Sequence, residues 1–92
     1  MIYAKVIGNI VATKKEEKYV GKKILMVQPY DLNTKKAAGD SFEAIDVTQA
    51  GIGDYVLVTV QGRSSRVALN DLEMPIDAVI VAIVDKVYLD EE

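Results

Sequence analysis

The chain has 92 residues, half of them apolar and 27% charged, with only two prolines and six glycines, the composition of one folded domain with room for a single core. Eleven Lys and Arg against 14 Asp and Glu leave a net charge of -3, so no general positive field draws in a phosphate backbone. Cys, His and Trp are absent, which removes thiolate nucleophiles, disulfides, zinc sites built on Cys or His, and imidazole acid–base chemistry near neutral pH.

Residues Ile2 to Thr13 alternate, with Ile2, Ala4, Val6, Gly8, Ile10 and Ala12 on one parity. That pattern predicts a long strand with a small-apolar inner face. The same segment carries Lys5 and Asn9 and has neither the charged start nor the uninterrupted apolar run of a secretory signal, so an intracellular protein is expected. Lys14 to Lys18 (KKEEK) is charged throughout and reads as a solvated hairpin tip. Lys23 to Tyr30 is a second strand, apolar on both parities, with Pro29 near its end.

Asp31 to Ser41 (DLNTKKAAGDS) has turn and small residues without periodicity, which predicts a surface loop that contacts something outside the domain. Phe42 to Val47 alternates as a short strand. Gln49 to Asp54 (QAGIGD) is a turn in which Gly51 and Gly53 are expected to supply positive φ. Tyr55 to Val60 is a β-branched strand. In Gly62 to Leu69 (GRSSRVAL), Ser64 or Ser65 is placed to cap a short helix that Asn70 and Asp71 end. Ala78 to Leu89 forms the last strand, apolar on both parities until Asp85. Its longest apolar run is far short of the roughly 20 residues that span a bilayer.

Five strands and one brief helix predict an all-β fold, a small five-stranded OB-like barrel over residues 1–89 followed by an acidic tail at 90–92. The second and fifth strands carry more apolar surface than one small core can hide, and the surplus predicts a subunit interface.

Little chemistry can be assembled. The carboxylates of Asp31, Asp40, Glu43, Asp46, Asp54, Asp77 and Asp85 have no spacing that pairs two of them for acid–base work, and none matches a calcium loop. Gly51-Ile52-Gly53 leads into a strand rather than a helix N-terminus, so it is a hairpin turn and not a phosphate loop. Ser64 and Ser65 have no His partner. No catalytic, metal-binding or cofactor-binding residue is assigned. Arg63 and Arg66 remain, two guanidiniums able to grip a carboxylate or phosphate bidentately or to pair across an interface. An OB-type barrel raises the alternative of a monomeric binding module for single-stranded nucleic acid or a small anion. The scattered aromatics and the acidic balance oppose the nucleic acid.

Lys5 to Lys15 (KVIGNIVATKK), Gly21 to Asp31 (GKKILMVQPYD), the AGIGD turn within Asp46 to Val58, Gly62 to Arg66, and Pro75 to Val87 (PIDAVIVAIVDKV) occur in a fixed order and spacing. Together they resemble the bacterial microcompartment vertex proteins, the EutN/CcmL family of carboxysomes and of ethanolamine- or diol-utilising organelles. The resemblance covers nearly the whole chain. It implies a barrel that assembles as a cyclic homopentamer and caps the fivefold vertices of a polyhedral shell otherwise tiled by hexagonal shell proteins, in the bacterial cytoplasm. The implied role is structural, without catalysis, cofactor, nucleic acid or membrane. A cyclic ring requires a heterologous interface, which falls on the doubly apolar strands, with Gln28, Ile80 and Val84 as the candidate interface residues. The loop Gly62, Arg63, Ser64, Ser65 and Arg66 is the candidate axial or pore loop. It departs from the more usual Gly-Ser-Ser-Ala-Arg by placing Arg63 at the first serine position and Ser65 at the alanine position. Five copies of Arg63 around one axis would form a ring able to bind or pass anions.

Overall fold

The computed structural model describes residues 1–11, 23–60 and 76–89. Five strands appear there: β1 (Ile2–Asn9), β2 (Lys23–Pro29), β3 (Phe42–Asp46), β4 (Tyr55–Val60) and β5 (Ala78–Ile83). They close into a barrel in the order β1-β2-β3-β5-β4, the all-β architecture expected from the strand count. The expected hairpin tip at Lys14 to Lys18, the short helix after Gly62, the axial loop and the acidic tail all lie outside the described residues.

Alternation sets which side chains enter the barrel. Ala4 and Val6 of β1, Leu25 and Val27 of β2, Ala44 of β3, Val56 and Val58 of β4, and Ala78 and Ile80 of β5 form the core, joined by Ala50. The many alanines keep the bore narrow, and fully burying each Val or Leu side chain contributes about 1.5–3 kcal/mol. A second, smaller cluster lies on the outer wall, where Ile24 and Ile76 pack over Ile45.

Neighbouring strands run antiparallel except β3 and β5, which are parallel and joined only at Ile45↔Val79 and Asp46↔Ile80. Two bulges bend the wall. In β1 the register slips between Val6 and Gly8, which leaves Ile7 47% exposed. In β5, Ile80 pairs with Val58 while Ala82 pairs with Leu57, so Val81 is the extra residue.

Four strands are shorter than expected, β2 by one residue, since it ends at Pro29 rather than Tyr30. β5 stops at Ile83 rather than Leu89 because its partner runs out: the Val84 N–H donates to the carbonyl of Tyr55, the first residue of β4, at 2.8 Å. β3 stops at Asp46 because the carboxylate of that residue pulls the chain into a turn. Its Oδ1 accepts from the Thr48 N–H (2.8 Å) and hydroxyl (2.6 Å), and its Oδ2 from the Ala50 N–H (2.8 Å). β1 ends at Asn9, although the Ile10 N–H still donates to Ile24 at 3.0 Å.

Positive φ falls on Gly53 (96°) but not on Gly51, and the other left-handed residue of this turn is Gln49 (65°). Gly51 instead donates its N–H to the Asp54 carboxylate at 2.8 Å, so the glycine expectation holds for one of the two positions. The turn is sewn to β1 by Gly53 N–H to Val6 carbonyl and Val6 N–H to Asp54 carbonyl bonds, each 2.9 Å.

Candidate assembly interface

Residues on the outward parity of β1 and β4 build an aromatic patch on the barrel wall. Lys5 sits opposite Tyr55, and Tyr3 opposite Leu57, which sets the Tyr3 and Tyr55 rings diagonally across the two strands. They stack with centroids 5.4 Å apart and planes 10° from parallel. The Tyr30 N–H donates to the Tyr3 carbonyl at 2.9 Å, and this places the Tyr30 ring edge-on to Tyr55 at 5.7 Å and 84°. Lys5 Nζ lies 5.6 Å from the Tyr55 ring centroid, a cation–π contact. Desolvation, and secondarily the neighbouring Tyr55, push the Tyr3 phenol above its ordinary pKa.

Beside these rings is an open cleft of about 430 Å³. The three tyrosines, Leu32 and Val84 line it, and Leu89 closes one side. Lys35, Asp85 and Lys86 stand around them. Residues 84–89 form this wall as chain that has outrun β4, and Val87 and Leu89 there are 42% and 45% exposed.

The 31–41 loop is exposed throughout but internally braced. Asp31 Oδ1 accepts from Asn33 and Thr34 (2.7 and 3.0 Å), and the Lys35 N–H donates to the Asp31 carbonyl at 2.8 Å. Lys35 sits at φ 59°.

The structure treats the candidate interface residues differently. Val84 is half-buried and lines the cleft. Gln28 is half-buried on the outer side of β2, and its amide donates to the carbonyls of Pro29 (3.0 Å) and Gly39 (2.9 Å), tying the exposed loop back to the barrel. Ile80 has no exposed surface, because it points into the barrel opposite Val58; it has nothing left to offer a neighbour, and this assignment is corrected. Gly62, Arg63, Ser64, Ser65 and Arg66 fall outside the described residues. The tyrosine cluster is hidden in the sequence because its members are far apart along the chain. Outward parity marks Tyr3 and Lys5, but only strand register brings Tyr30 and Tyr55 to them.

Among the described residues no three acidic side chains gather to hold a metal ion, and no helix is long and apolar enough to cross a membrane. The architecture defines the class as a small OB-like barrel with an apolar, aromatic outer wall. Residues 1–85 match the family described as "Ethanolamine utilisation protein EutN/carboxysome". The chain is 39% identical to the carboxysome shell vertex protein CcmL of Synechocystis sp., over 95% of this chain and 85% of that one. It is 35% identical to the bacterial microcompartment shell vertex protein PduN of Salmonella typhimurium, over 92% and 96%. Among solved structures, the GrpN pentameric microcompartment shell protein of Rhodospirillum rubrum superposes with a TM-score of 0.82 at 34% identity, covering 98% of this chain and all of that one. EutN of Escherichia coli gives 0.80 at 34% identity, covering 97% and 89%. The chain belongs to the EutN/CcmL family.

Proposed function

We propose that this chain is a structural subunit that forms a homopentamer and caps the fivefold vertices of a polyhedral microcompartment shell in the bacterial cytoplasm, with hexagonal shell proteins as its neighbours. The observation that carries the reading is the end-to-end likeness to a pentameric shell protein, GrpN, at 34% identity. The physical logic is geometric. A sheet of hexagons is flat, and closing it requires pentagons; a fivefold ring whose rim fits the hexagonal tiles supplies the missing curvature. Residues 1–89 act as one domain in this role, and its shape is its activity.

The residue inventory agrees with a protein that performs no catalysis: with no Cys or His in the chain, nucleophilic and acid–base constellations lack their usual members. The monomeric nucleic-acid module has weaker support. Tyr3 and Tyr55 stack on each other, which uses ring face that a base would need, and the net charge is negative.

The test is shell closure. Co-expression with a hexagonal shell protein should give closed polyhedra by electron microscopy, whereas omitting this chain should leave open sheets, tubes or particles with gaps at their corners. Identical closed shells with and without it would contradict the reading. Within the ring, the Gly62 to Arg66 loop is assigned to the fivefold axis, where five Arg63 guanidiniums attract anions. Arg63→Ala should then abolish anion binding measured by calorimetry with sulfate; unchanged binding would remove Arg63 from the axis.

A further inference from the structure

The homopentamer proposed above fixes a requirement that one protomer must meet. A cyclic ring of identical copies is held by one contact used five times, in which a patch on each copy meets a different patch on the next. Two outward apolar features of the barrel stand on different parts of its wall, one a cleft and the other a pair of exposed valines.

The first is concave, the tyrosine cleft on the β1–β4 wall. The second lies where β3 and β5 meet, the narrowest joint of the barrel, with two residue pairs. One position beyond the last pair, Asp46↔Ile80, stand Val47 and Val81, which are 60% and 39% exposed. Asp46 and Ile80 are buried, while Val47, one residue past the end of β3, and Val81, the unpaired residue of the β5 bulge, are exposed. In the strand order β1-β2-β3-β5-β4, neither β3 nor β5 touches β1, and only β5 touches β4.

Both valines sit at defined irregularities of the backbone. Val47 lies between Asp46 and Thr48, whose N–H and hydroxyl bond the Asp46 carboxylate. Val81 is the extra residue of the β5 bulge, a device that re-aims a side chain. Two stiff β-branched side chains lose little freedom when covered. The cleft is pre-organised by its stacked rings.

We infer that the seam of the ring is made by a second copy of this chain, whose Val47 and Val81 knob seats in the tyrosine cleft formed by Tyr3, Tyr30, Tyr55 and Val84. The cleft of the second copy then receives the knob of a third, and so on around the ring. The knob also covers the weakest joint of the barrel that supplies it.

Heterologous pairing makes a distinctive prediction for mixtures. Tyr55→Glu spoils the cleft and spares the knob; Val81→Glu spoils the knob and spares the cleft. Each variant alone should be monomeric by light scattering at a concentration where the wild type is a ring. Mixed in equal amounts they share one intact knob and one intact cleft, so they should form a one-to-one dimer of twice the 10.1 kDa chain mass and nothing larger. Val84→Lys and Val47→Glu serve as the second cleft and knob variants, and circular dichroism selects the members of each pair that remain folded. A folded variant that keeps the wild-type ring, or a mixture that stays monomeric, overturns this seam while leaving the pentamer intact. A monomeric wild type overturns the pentamer and the seam together.

Discussion

Asp46 illustrates how one side chain sets local structure. Its carboxylate has no exposed surface, accepts three hydrogen bonds within the next four residues, and has Lys23 Nζ at 3.7 Å. Lys23, whose side chain is 48% exposed, also donates to the Ala50 carbonyl. The two partners therefore matter unequally. Asp46→Ala leaves the Thr48 and Ala50 N–H groups without their acceptor, one of them buried, and should destabilise by about 3 kcal/mol. Lys23→Ala removes a half-exposed ion pair and should cost about 1 kcal/mol or less. Urea unfolding at matched protomer concentration checks both values, and equal losses would show that the lysine rather than the hydrogen-bonded turn holds this corner. From the sequence, Asp46 is one of seven undistinguished carboxylates, because what singles it out is the fold of the turn around it. Gly53 is legible as a positive-φ position from the AGIGD turn, whereas the left-handed conformation at Gln49 is not, since a glycine stands nearby to take it.

Strands are the most legible elements, because a period of two in small and β-branched residues suits a pleated strand and little else. Their starts at Ile2, Lys23, Phe42, Tyr55 and Ala78 agree with the structure. Their ends depend on where a partner strand stops, which is a tertiary fact: Ala78 to Leu89 reads as one apolar run, but β4 begins at Tyr55 and pairing ends there. The misassignment of Ile80 has the same kind of origin. Ile80 and Val84 share parity in the sequence, and an unbroken strand would point both to one side. The bulge at Val81 adds a residue, so even positions face inward before it and outward after it. The two positions should therefore respond differently to charge. Ile80→Glu puts a carboxylate in the barrel core and should yield insoluble or unfolded protein. Val84→Glu should yield a soluble, folded monomer, as judged by amide dispersion in NMR spectra and by mass. A well-folded Ile80→Glu protein would contradict the inward placement of that residue.

At the scale of the whole molecule, the chain is short and its barrel narrow, so burial within one protomer leaves much apolar surface uncovered: Val47, Ile52 and Tyr88 are 60%, 64% and 85% exposed. Assembly supplies the missing cover. The need for an interface is legible in the surplus of apolar strand surface, and the family in five segments spread along the chain. The placement of the interface is not, because it depends on register, on two bulges, and on side chains from four distant stretches meeting on one wall. A seam built from valines and tyrosines owes little to ion pairs, so the oligomer should persist from low ionic strength to about 1 M salt, where exposed charge pairs are screened within roughly 3 Å. Dissociation at high salt, followed by sedimentation, would assign the seam to charged residues instead.

The most direct test of the account is the solution mass of the purified chain, measured by light scattering after size exclusion. Five chains of 10.1 kDa give about 50 kDa, the mass the vertex role predicts. A mass of one chain, unchanged as concentration rises, would contradict it.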